Sequence, residues 1–133
     1  MTINLDEIAL ASLEARLEGV EETQVNRLIE LLESSKSIDL VKVFIARQVG
    51  RRQWSRYATS SSAARLYEIL SKCTSIDEAR KALGYFKWFY EAGRDIRALR
   101  SLQSSLRGII FTPSKHAPSG FADTYLRTTL GLH

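Results

Sequence analysis

Apolar residues recur along the chain at spacings of three and four, and strict alternation is almost absent, so the pattern predicts an all-α fold. Asn4, with Glu7 three positions on, opens a first helix whose apolar stripe is Ile8, Leu13 and Leu17 and whose stop is Gly19. A second helix, 23–32, places Val25, Leu28, Ile29 and Leu32 on one face. Ser37 caps a third, with Val41, Phe44, Ile45 and Val49 in one arc. Continued past Val49, that helix would lay Arg52 and Arg56 along its buried stripe, where charge is costly. Either Gly50 ends it or its last turns project beyond the core. The loop 59–62 ends in a cap for a fourth helix with Leu66, Ile69, Leu70 and Cys73 inward. Ser75 and Glu78 form a capping box for the longest helix, 76–92, with Gly93 as its C-cap. Its Ile76, Ala79, Leu83, Phe86 and Tyr90 share a narrow arc, whereas Tyr85, Trp88 and Phe89 point elsewhere. That arrangement suits a helix central in a bundle or one that carries a protein interface. A sixth helix, 95–107, sets Ile96, Leu99, Leu102 and Leu106 inward. Residues 109–113 are too short to assign, 114–120 form a polar loop, and 121–130 read as a short amphipathic helix through Tyr125, Leu126 and Leu130. The expected architecture is one domain over 1–133, a compact bundle of five to six helices, with 109–133 a less ordered C-terminal extension.

Composition adds bounds. The 133 residues are 44% hydrophobic and 26% charged, as in ordinary soluble domains, and no apolar run approaches the roughly 20 residues that cross a membrane. The first residues lack a basic segment followed by an apolar one, so a cytoplasmic protein is expected. Cys73 is the only cysteine, which excludes an internal disulfide and a cysteine-cluster metal site. His116 and His133 are the only histidines and share no ligand spacing with it, so neither metal nor cofactor is expected.

The net charge of +4 conceals an asymmetry: residues 1–39 hold nine acidic and three basic side chains, and residues 40–133 hold six and sixteen. An acidic face and a basic face on one domain follow. The acidic residues fall on the outer faces of the first two helices, and pairs such as Glu21–Glu22 and Asp77–Glu78 suit helix N-termini. No glycine-rich phosphate loop is present, and His116 lies in a polar loop, so the chain does not read as an enzyme. The remaining chemistry is cationic. Lys42, Arg47, Arg51, Arg52 and Arg56 occupy a span, 40–67, without a single acidic residue. Arginine's planar donor fork suits phosphate, and Trp54 and Tyr57 offer stacking faces if they are not core residues. Arg94, Arg97, Arg100 and Arg107 form a second set opposed only by Asp95. If the two sets are neighbours they make a continuous positive groove. The competing reading is that both are solvated helix ends favoured by the helix dipole.

Three segments resemble a known family. Thr23-Gln-Val-Asn-Arg-Leu-Ile29 is similar to a Thr-x-Gln-Ile-Arg segment of Csm-type small subunits of type III CRISPR effector complexes. Phe44-Ile-Ala-Arg-Gln-Val-Gly-Arg51 resembles the family's Ala-Tyr-Gln-x-Gly-Arg stretch, with Arg47 where a tyrosine is common. Ala82-Leu-Gly-Tyr-Phe-Lys-Trp-Phe-Tyr-Glu-Ala92 looks like its later aromatic and acidic helix, and the final helix also resembles that of the related Cmr-type small subunit. The resemblance, over about residues 22 to 92, implies a non-catalytic helical subunit. Copies of it would stack in a ribonucleoprotein against guide RNA and target RNA, with Arg47 and Arg51 on the backbone. On this reading Tyr85, Trp88 and Phe89 meet protein neighbours. The rivals are a helical DNA-binding protein that reads the major groove and a protein-interaction adaptor with a basic docking face.

Overall fold

The computed structural model describes residues 3–132, with Met1, Thr2 and His133 outside the described residues. The architecture is all-α. In chain order it comprises α1 (Leu5–Glu18), α2 (Glu22–Ser35), α3 (Ile38–Gly50), α4 (Ser61–Ser71), α5 (Ile76–Ala92), a short α6 (Ile96–Arg100), a 3-10 turn at Ser104–Leu106 and α7 (Phe121–Thr129). Three helices start where their caps predict. Asn4, Ser37 and Ser75 accept from the backbone N–H groups of Glu7, Leu40 and Glu78, which satisfies otherwise orphaned donors. Among the described residues, no helix is long and apolar enough to cross a membrane.

The axis of the bundle is α1. Every residue from Ile8 to Ala15 is 0% exposed, because α4, α5 and α7 pack around it. Its expected outer face is therefore inside. Ala9, Ala11, Ser12 and Ala15 are short enough to admit neighbours closely, and the Ser12 hydroxyl lies 3.2 Å from the Phe86 carbonyl of α5. On α5, Ala79, Leu83, Phe86 and Tyr90 are buried as their arc predicts. The Tyr90 hydroxyl donates to the Val20 carbonyl at 2.6 Å, and Arg16 lies 3.7 Å over its ring. On α3 the buried stripe is Val41, Ile45 and Gln48, with Phe44 and Val49 half-buried. Gln48 enters the core because its amide donates to Gln24 at 3.1 Å.

Two expectations for the C-terminal region change. The sixth helix keeps its inward leucines, Leu99, Leu102 and Leu106, but regular helix stops at Arg100. The hydroxyls of Ser101 and Ser105 donate to carbonyls three residues back at 2.7 and 2.8 Å, and the backbone tightens into turns. The segment after Gly108 is bound down rather than left as an extension. Arg65 donates to the carbonyls of Lys115, Ile109 and Thr112 at 2.6, 3.0 and 2.9 Å. Asp6 accepts from the N–H groups of Gly120 and Ala122, and Phe121 and Tyr125 are buried while Leu126 and Leu130 face outward. The Tyr125 hydroxyl donates to the Phe89 carbonyl at 2.6 Å. It fits only because residue 93 is glycine, where an added Cβ would lie 2.1 Å from that oxygen.

Candidate nucleic-acid interface

The cationic stretch is built by the way α3 ends. Gly50 is the last helical residue, but the left-handed position that closes the helix belongs to Arg52, at φ 57°. The Arg52 N–H donates to the Val49 carbonyl at 3.0 Å and the Gln53 N–H to the Gln48 carbonyl at 2.8 Å. This pair of bonds usually closes over a glycine. An arginine there costs roughly 1–2 kcal/mol of backbone strain.

Beneath the loop, Trp54 is 1% exposed, so it is not a stacking surface for a ligand. Its indole N–H donates to the Ser62 hydroxyl at 3.1 Å, and that hydroxyl donates in turn to the buried carboxylate of Glu18. Glu18 also accepts from the Ser60 hydroxyl and the Ser61 N–H, both at 2.9 Å. Trp54 and the serine run thus pin both ends of the loop 51–60 to α1. Arg51, Arg52, Arg56 and Tyr57 are left on the outside, with Arg47 one turn back on α3. None of these four arginines forms an ion pair among the described residues. Arg56 lies 5.4 Å from the centre of the Tyr57 ring, which remains exposed.

The other expected cations divide. Lys42 is apart from the loop: it is largely buried, 4.0 Å from Asp39 and 4.6 Å over the Tyr67 ring, and lines a separate cavity with Lys36 and Asp39. Arg94, Arg97 and Arg100 are exposed, with Arg97 3.8 Å from Asp95. Arg97 and Arg100 lie on α6 and Arg94 just before it, and α6 packs on α1 and α7 rather than on α3. A groove of about 510 Å³ over the end of α1 is lined by Arg16, Arg52, Arg56 and Ile96 among others, and by none of Arg94, Arg97 and Arg100, so the continuous positive groove expected of the two sets is not formed there. Glu18 and Glu21 line it too, so its charge is mixed.

Of the expected protein-contact residues, Trp88 is 68% exposed and Tyr85 is half-buried beside it, their ring centres 6.0 Å apart. Phe89 belongs to the core instead: it is buried and meets Tyr125 edge-on at 5.5 Å. The fourth turn of α5, which packs against α7, cannot leave that ring outside.

Several influential residues have no signal of their own in the sequence. Glu14 and Glu18, expected on an outer face, are interior. Glu14 meets Arg65 at 2.6 Å, takes the Ser61 hydroxyl at 2.8 Å and takes the Phe111 N–H at 2.7 Å. Burial pushes its carboxyl above the usual range, against the opposing pull of Arg65, Ser61 and Phe111. A run of hydroxyl residues opening α4 is a cap in any helical protein, and only the fold shows that it serves two buried carboxylates. Cys73 is half-buried, and burial raises its thiol above the ordinary value. His116 is exposed, 3.4 Å from Glu7. Among the described residues, no group of three His, Cys, Asp or Glu side chains could hold a metal ion. No protein-family model matches the chain, and no curated protein or solved structure matches it significantly.

Proposed function

We propose that the protein is a non-catalytic, RNA-binding helical subunit that contacts the sugar-phosphate backbone through Arg47, Arg51, Arg52 and Arg56. The observation that carries this reading is the loop after α3. Arg51, Arg52 and Arg56, without an ion pair among the described residues, are held outward by a buried tryptophan and a carboxylate-serine network, one of them in a strained backbone conformation, and Arg47 adds a fourth exposed arginine from the last turn of α3. A solvated helix end needs no such anchoring. Arginines divided between a last helical turn and a loop suit phosphates better than base edges, which a helix in the major groove reads along one face. The interior carboxylate of Glu14 is taken up by structural hydrogen bonds, which favours binding over catalysis.

The finer assignment, to the small subunit of a type III CRISPR effector complex of the Csm or Cmr kind, rests on the three resembling segments. It makes guide and target RNA the partners, places the protein in the cytoplasm, and leaves Trp88 with Tyr85 for a neighbouring subunit or a second copy. Arg94, Arg97 and Arg100, exposed at and just before α6, are auxiliary backbone contacts.

Fluorescence anisotropy with single-stranded RNAs of unrelated sequence tests the reading. Four phosphate contacts predict a slope of log K against log salt of about −3 for a single strand, with similar affinity for every sequence. Binding that is insensitive to salt, or confined to one duplex DNA sequence, would refute it.

A further inference from the structure

Two cavities adjoin over the end of α1. The smaller, about 290 Å³, is lined by Leu17, Glu18, Tyr57, Thr59, Ser61 and Phe111. The larger is the groove of Arg16, Arg52 and Arg56, which shares Leu17 and Glu18 with it. At the smaller cavity two large rings remain open to solvent, Tyr57 at 45% and Phe111 at 44% exposure. Phe111 is held at φ 60°, a conformation side-chain-bearing residues rarely adopt. Its N–H is fixed by Glu14, which Arg65 clamps in turn. A buried ion pair that holds an exposed ring in a strained backbone at a cavity is the kind of outlier that gathers at ligand clamps. Glu18 accepts three hydrogen bonds, leaving one of a carboxylate's roughly four acceptor positions for a further donor. The volume lies at the small end of the roughly 300–1,000 Å³ typical of ligand pockets, suited to a single ring system. Arg56, stacked beside Tyr57, joins the aromatic cavity to the cationic one.

We propose that the paired cavities hold one nucleotide unit. Its base sits against Tyr57 and Phe111 with an exocyclic amine donated to Glu18, and its phosphate lies in the adjoining groove at Arg52 and Arg56. For a unit within a strand, the proposal rests on the RNA-binding reading; a free nucleotide presents the same chemistry.

The test is an NMR titration of the full chain with AMP, CMP, UMP and a ten-nucleotide single-stranded RNA. AMP and CMP shift the resonances of Tyr57, Ser61 and Phe111, and UMP, which lacks the exocyclic amine, binds about tenfold more weakly. Phe111→Leu and Tyr57→Leu, which keep apolar bulk but lose the ring, each weaken AMP about tenfold with unchanged circular dichroism. In the RNA arm the same variants lose affinity but keep the salt slope of the arginines. If both variants bind AMP and RNA as the wild type does, or if the ligands shift Arg51, Arg52 and Arg56 and leave Tyr57, Ser61 and Phe111 unmoved, the proposal is overturned. If AMP fills the site and RNA binds no more tightly than AMP, the site stands with a free nucleotide as its ligand, and the backbone reading fails.

Discussion

On the proposed RNA-binding role, Arg52 is where stability and function oppose each other most directly. It holds the left-handed position that ends α3, where glycine carries no steric penalty. Arg52→Gly is expected to raise stability by about 1 kcal/mol in urea denaturation while lowering RNA affinity. A variant that is less stable would show that the arginine is held there by contacts rather than by strain. Arg65 carries the opposite weight. Glu14's raised carboxyl value means the folded state holds that proton more tightly than the unfolded chain. Its contribution to stability is therefore full below ordinary carboxylate values and declines as pH rises through the raised value. Arg65→Leu removes the strongest opposing pull and leaves a buried carboxylate unpaired, so a loss of about 3–5 kcal/mol is expected at pH 7. The part due to Glu14 shrinks at pH 5, and equal losses at both pH values would show that the carboxylate is not responsible. Neither residue's structural role was legible in advance, although Arg52 stood among the expected binding arginines. Arg52 looked like a charge to be kept off a stripe, and nothing in the sequence singled out Arg65, because burial is decided by partners far away in sequence.

At the scale of elements, local chemistry was the reliable guide. Asn4, Ser37 and Ser75 cap the helices they were expected to cap, and Gly19 stops α1 in the left-handed conformation. What could not be read was which helix sits in the middle. The alanines of α1 give a weak periodic signal, yet they are what lets three helices close on it. The aromatic breadth of α5 drew attention away from it. The docking of α7 was equally hidden, since it depends on Tyr125 reaching Phe89 over Gly93. Gly93→Ala drives a methyl into that hydroxyl and should cost about 1–3 kcal/mol in thermal or urea unfolding. A neutral effect would mean that α7 readily gives way. Trp54→Ala, which empties the floor of the loop, should cost about 3–5 kcal/mol, and RNA affinity should fall with it even though no cation is removed.

For the molecule as a whole, charge asymmetry was readable and its placement only partly so. The basic half does supply an exposed arginine loop. Some of the acidic half, however, is spent inside on Arg65 and the serines, so the groove is less one-signed than the counts imply. Trp88→Ala, on the exposed side of α5, should leave stability within about 0.5 kcal/mol of wild type. It should weaken association with a protein partner if that face is an interface. The central claim is that the loop after α3 binds RNA phosphates. It is tested most directly by measuring anisotropy with single-stranded RNA for the wild type and for a variant with Arg47, Arg51, Arg52 and Arg56 changed to Glu. The account predicts salt-sensitive binding by the wild type and none by the folded variant. Equal binding by both, or none by the wild type at low salt, would contradict it.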